Sequence, residues 1–241
     1  MKKSVLIIIL VLVITNIATI IYLTNRPSDS ASGQITNPPA CGCDADRFKS
    51  EYEGLNGKDN SYGGTYLSIS IPSDNPVEYV DFTRVKQILA NGTGVIYFGF
   101  PECPWCRNIS PTLLDVAMEF DSKIFYLNNK EDRDIRKLDD NGNIIIEKEG
   151  SAEYYELLEL LTGYTSVYDG LNDESIKRLY FPTVIFVKDG EIVGFHEGTV
   201  ESHIDASVYL NAEQQKELKA IYRDYFNKMI SGRCSINEPG C

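Results

Sequence analysis

The chain has 241 residues, 43% of them hydrophobic and 24% charged, which suits one globular domain with an appendage. Its formal net charge is −12 and its lysines and arginines form no dense cluster, which argues against nucleic acid and anionic lipid surfaces as partners. The acidic balance by itself implies a soluble surface and no particular function.

The appendage is the N-terminus. After Lys2 and Lys3 come about 20 residues without a charge, "SVLIIILVLVITNIATIIYLT", roughly what a helix needs to cross a bilayer. The two lysines predict a cytoplasmic N-terminus and an extracytoplasmic remainder, so residues 1–26 read as a single-pass membrane anchor. The rival is a cleaved signal peptide, because "SAS" at 30–32 is a weak small-residue cleavage site, and the protein would then be secreted. Residues 27–44, rich in Ser, Pro, Asn and Gly, read as a flexible tether. The domain follows over 45–232, with a tail at 233–241.

Within the domain, "DFTRVKQILANGTG" sets Phe82, Val85, Ile88 and Leu89 at helical spacing and stops on glycine. "GVIYFGF" at 94–100 is an almost unbroken apolar run, as in a strand buried on both faces. "RNISPTLLDVAMEF" spaces Ile109, Leu113, Val116, Ala117 and Phe120 as a helix, with Pro111 expected to bend it or to end its first segment. "KIFYLN" at 123–128 is the next strand. A charged excursion at 129–150 precedes "SAEYYELLELLTG", a helix with Tyr154, Leu157, Leu158 and Leu161 on one face, and together they predict a helical insertion at about 129–178. "YFPTVIFVKDGEIVGFHEG" reads as a hairpin turning at Asp-Gly. A last helix starts at Asn211 and ends near Gly232. Strands alternating with helices predict an α/β sheet covered on both faces.

The motif that carries chemistry is "VIYFGFPECPWCRN", residues 95–108. Cys103 falls between a buried strand and a helix, where free N–H groups and the helix dipole favour a thiolate. Two intervening residues in a first helical turn allow both sulfurs to reach disulfide geometry, and Pro104 fits an early helical position. Cys103, expected to be the more exposed, is the candidate nucleophile, and Cys106 the resolving thiol. Zinc would need a second pair of ligands, and the two histidines, His196 and His203, are not spaced as one, so no metal or cofactor is expected. Both histidines read as ordinary surface or strand-end residues, and Trp105 as a platform for substrate.

"FGFPECPWCR", followed about 75 residues later by "FPTVIFVKDGEIVG", resembles the thioredoxin superfamily, over about residues 75–230. A looser likeness joins it to bacterial thioredoxin-like proteins described as bacteriocin-transport accessory proteins. The resemblance implies a thioredoxin-like fold and thiol–disulfide exchange. It also implies a cis Phe181–Pro182 bond, with Phe181, Pro182 and Thr183 presenting a backbone edge to the substrate chain. Thioredoxins carry a buried acid on the strand before the motif, and the matching position here is Tyr97. Candidates for tuning the thiol pKa are therefore Glu102, Pro104, Arg107 and Tyr97, and nothing in the sequence selects the proton-transfer group.

The other four cysteines flank the domain. A C-x-C bridge is strained, so Cys41 and Cys43 are expected to pair with Cys234 and Cys241, in a connectivity that sequence leaves open. A second redox pair is the alternative role. The expectation is a membrane-anchored, extracytoplasmic thiol–disulfide oxidoreductase. Its partners would be exported proteins or peptides and a redox partner at or outside the membrane. The alternative is a non-catalytic module that holds an exported peptide or membrane partner.

Overall fold

A computed structural model describes residues 42–61 and 63–231. The anchor segment, nearly all of the tether, the C-terminal tail, and Cys41, Cys234 and Cys241 lie outside the described residues. Among those described, no helix is long and apolar enough to cross a membrane.

The centre is a mixed five-stranded sheet flanked by helices, an α/β architecture. Its strands, in spatial order, are β1 (Val77–Tyr79), β3 (Ile124–Leu127), β2 (Gly94–Phe98), β8 (Thr183–Lys188) and β9 (Glu191–Glu197). β1 and β2 both run parallel to β3, while β8 is antiparallel to β2 and β9 to β8. Strand β2 is buried at every residue, as its unbroken apolar run predicts. Its side chains alternate between two cores. Val95 and Tyr97 join Phe48, Ile109, Leu113, Tyr222 and Phe226 on one face. Ile96 and Phe98 join Val85, Ile88, Tyr154 and Leu157 on the other.

The helices that supply those faces are α1 (Gly42–Glu53), α2 (Phe82–Asn91), α3 (Pro104–Glu119), α4 (Ala152–Leu160) and α5 (Ala212–Ile230). Each of the last four starts on a side chain that accepts from the first turn. Asp81 accepts from Arg84 N, Cys103 from Cys106 N, Ser151 from Tyr154 N, and Asn211 from Gln214 N. Asn211 and Gln214 form a reciprocal capping box.

The sequence expectations need correcting in three places. Helix α1 begins within the stretch read as a tether; its Phe48 and Tyr52 are fully buried, but their spacing in a polar segment gives a weak periodic signal. The insertion is not purely helical. It holds a hairpin, β4 (Ile135–Leu138) with β5 (Ile144–Lys148), then α4, then the short pair β6 (Ser166–Val167) and β7 (Lys177–Arg178). That first hairpin turns at Asn141-Gly142 with Gly142 at φ 82°. Its isoleucines are half-exposed, the neighbours Ile145 and Ile146 alike, so burial periodicity does not reveal it. Helix α3 runs continuously through Pro111, which therefore does not end its first segment.

Candidate functional site

The two cysteines of the motif sit where β2 hands over to α3. Cys103 is the N-cap of α3, with φ −72° and ψ 117°, and Pro104 takes the first helical position, where it has no N–H to satisfy. The Cys103 sulfur accepts a hydrogen bond from Cys106 N at 3.2 Å, which places it over the positive end of the helix. Both thiols are free. Cys106, one turn in, is fully buried, and burial pushes its thiol well above the ordinary range, with the adjoining Cys103 adding to the rise.

Opposite stands the start of β8. The Phe181–Pro182 peptide bond is cis, and the Cys103 thiol donates to the Phe181 carbonyl at 3.8 Å. Thr183 is fully buried and donates its hydroxyl to Tyr180 O at 2.7 Å, which fixes the turn just ahead of the proline. The Phe181 ring meets Phe100 edge-on at 5.2 Å and carries the Arg133 guanidinium 4.5 Å from its centroid. Cys103 is the less buried of the pair, as expected, but only 4% exposed.

A groove of about 680 Å³ runs beside Trp105 and Phe181, walled by Tyr180, Glu197, Thr199 and His203. Asp169, Glu197 and Glu201 line it with no lysine or arginine among the lining residues. Burial pushes the Glu197 carboxyl up, while Ser166, donating to it at 2.8 Å, pulls the other way. Trp105 packs edge-on against His203 at 5.3 Å.

His203 is the residue sequence reasoning undervalued. It is 5% exposed, and both ring nitrogens are engaged, Nε2 with Val208 O at 3.1 Å and Nδ1 with the Thr199 hydroxyl at 3.0 Å. A carbonyl only accepts, so Nε2 carries a proton there, and the ring is held behind Trp105 by both contacts. No local pattern marks such a residue, because its partners come from one irregular loop.

The candidates for tuning the thiols separate. The Glu102 side chain is exposed and lies 4.0 Å from Lys130, turned to the surface. Arg107 is fully buried and faces away from the groove, donating to Leu67 O, Tyr52 O, Pro101 O and Asn56 Oδ1 at 2.6–3.1 Å. It is a structural tie between α3 and the segment after α1. Tyr97 is fully buried and its hydroxyl lies 3.0 Å from Tyr52 OH and 3.1 Å from Ser110 Oγ. Of the flanking cysteines, Cys43 is disulfide-bonded. No group of His, Cys, Asp or Glu among the described residues is arranged to hold a metal ion.

Compared with protein-family models and with curated proteins, the chain finds no match in either.

Proposed function

We propose that this protein is a membrane-anchored, extracytoplasmic thiol–disulfide oxidoreductase with a thioredoxin-like fold, acting on exported proteins or peptides. The observation that carries the reading is the placement of the Cys103 sulfur. It caps α3, receives Cys106 N, and faces the Phe181 carbonyl next to the cis bond, with Cys106 directly behind it.

In the reducing direction the Cys103 thiolate attacks one sulfur of a substrate disulfide. A Cys103–substrate bond forms, the substrate S–S bond breaks, and the released substrate sulfur takes a proton. Cys106 then displaces the second substrate sulfur, closing the Cys103–Cys106 disulfide. Two electrons and two protons pass to the substrate; run backwards, the same steps hand a disulfide to a reduced chain. The groove beside Trp105 is where the substrate chain lies. The disulfide at Cys43 supports an oxidising compartment, which favours making or correcting disulfides.

The near-complete burial of Cys103 favours a second reading, a module that binds a peptide in the same groove without turnover. Replacing Cys106 by Ser separates the two. Under the proposed function, Cys103 of that variant accumulates a stable mixed disulfide with a disulfide-bearing peptide, visible by mass spectrometry, and Cys103→Ser falls to the background rate of exchange. Binding without any covalent adduct in the first variant would leave the binding module standing.

A further inference from the structure

Glu197 ends β9 directly across from Thr183, the residue after the cis proline, and Gly198 N beside it donates to Pro182 O at 2.8 Å. Its carboxylate therefore belongs to the strand next to the Phe181–Pro182–Thr183 segment. Ser166 donates to one of its oxygens, Oε1, at 2.8 Å. The other, Oε2, is buried and has no hydrogen-bond partner among the described residues. Burial pushes this carboxyl up, Ser166 and the Tyr180 N–H pull it down, and Asp169 adds to the rise.

Other carboxylates drawn in from solvent are neutralised within the chain. Glu53, Glu78 and Asp134 each have a cation within 2.8 Å, in Lys49, Lys123 and Arg136. Glu197 has a hydroxyl in that place, and its second oxygen is destabilised until a donor reaches it. The nearest guanidiniums lie on aromatic rings, Arg133 on Phe181 and Arg178 on Tyr168 and Tyr180, at 4.1–5.7 Å from the centroids. Neither lines the groove, whereas Asp169 and Glu201 do.

The walls beside Glu197 are fixed and aromatic. Tyr180 OH accepts from Asp169 N at 2.7 Å and donates to Val167 O at 3.3 Å, which holds its ring. Trp105 is packed edge-on against His203, itself held at both nitrogens. Apolar walls around an unpaired carboxylate suit a side chain with a long methylene stem and a cationic head. Resting on the reading of Cys103 and Cys106 as a redox pair, we propose that this groove selects substrate chains carrying a lysine or arginine next to the reacting cysteine. Glu197 is the specificity-determining residue that takes the cation.

The rival explanation is steering by the net charge of −12, which would favour any basic peptide. Steering depends on the charge of a peptide, and the groove on where that charge lies. The test uses the full chain with Cys106→Ser, which traps the mixed disulfide, and three disulfide-bearing peptides. One has arginine adjacent to the half-cystine, one has the same composition with arginine at its far end, and one has glutamine in place of arginine. Each rate of trapping is divided by that of the same peptide with glutathione, which removes its intrinsic reactivity.

The adjacent-arginine peptide is expected to react about tenfold faster than the glutamine peptide, as one charge-assisted hydrogen bond allows. The far-end peptide should stay close to the glutamine rate. Glu197→Gln, which keeps the size and an acceptor for Ser166, should abolish the preference. Glu119→Gln removes the same charge roughly 20 Å further along α3 and should preserve it. Equal rates for the adjacent-arginine and glutamine peptides would overturn the proposal. So would an equal gain from far-end arginine, or a preference that survives in Glu197→Gln. Should Glu197→Gln fail to fold, the three peptides still decide on the unsubstituted groove. Equal trapping of all three leaves the oxidoreductase reading standing without the selection. If none is trapped, that reading has failed and the proposal falls with it.

Discussion

Arg107 follows Cys106 directly and carries a guanidinium into a fully buried site where its hydrogen-bond partners include no carboxylate. Three backbone carbonyls and one amide oxygen stand where a counter-ion would, filling its planar fork. Burial lowers its pKa somewhat, which is the cost of that arrangement. Arg107→Leu leaves those acceptors without donors and is expected to lower the unfolding free energy by roughly 3 kcal/mol, read by denaturant titration of the full chain. Arg107→Lys, which keeps the charge and loses the fork, should fall between that variant and wild type. Beside two cysteines, the sequence presents Arg107 as a thiol-tuning charge. Apart from Pro101, its real partners lie 40 to 55 positions earlier, and no local pattern brings them together. The same distance hides Tyr52, whose hydroxyl meets Tyr97 across 45 positions.

Among the elements, those with a strong period or a strict turn requirement were legible. Strand β2 is apolar throughout because both faces are buried, and α5 carries its buried stripe between a capping box and a stop. The β8–β9 hairpin turns on Asp189 and Gly190, both at positive φ, as Asp-Gly demands. Gly190 is required for two reasons: its φ is 83°, and a Cβ there would come within 2.5 Å of Ala90 O. Gly190→Ala is therefore expected to cost roughly 2 kcal/mol or more, against about 1 kcal/mol for Gly142→Ala, which shares the positive φ but has open space around it. Thermal unfolding of the two variants checks the order; equal losses would mean that the contact with α2 does not matter. Strand β1 was not legible because three residues after a Pro-rich turn carry no period, and it exists through its pairing with β3.

Across the whole molecule, the sulfurs of Cys103 and Cys106 lie where three long-range features meet. These are the end of the central strand, the start of the helix that follows it, and the Phe181 carbonyl just ahead of β8, almost 80 positions later. Cys103, Cys106 and the Phe181–Pro182–Thr183 segment were legible because each is a short motif with its own spacing. The groove beside them was not, because its walls come from the insertion, from β9 and from the loop holding His203. Its acidic lining matches the charge of the chain as a whole, −12.

The most direct test equilibrates the full chain with mixtures of reduced and oxidised glutathione and follows Cys103 and Cys106 by alkylation and peptide mapping. A single two-electron transition is expected at these two residues, with a midpoint between about −200 and −120 mV for an enzyme that makes or corrects disulfides. A midpoint near −270 mV would reverse the direction assigned here and make it a reductant. No exchange at Cys103 and Cys106 under any glutathione ratio would contradict the oxidoreductase reading outright.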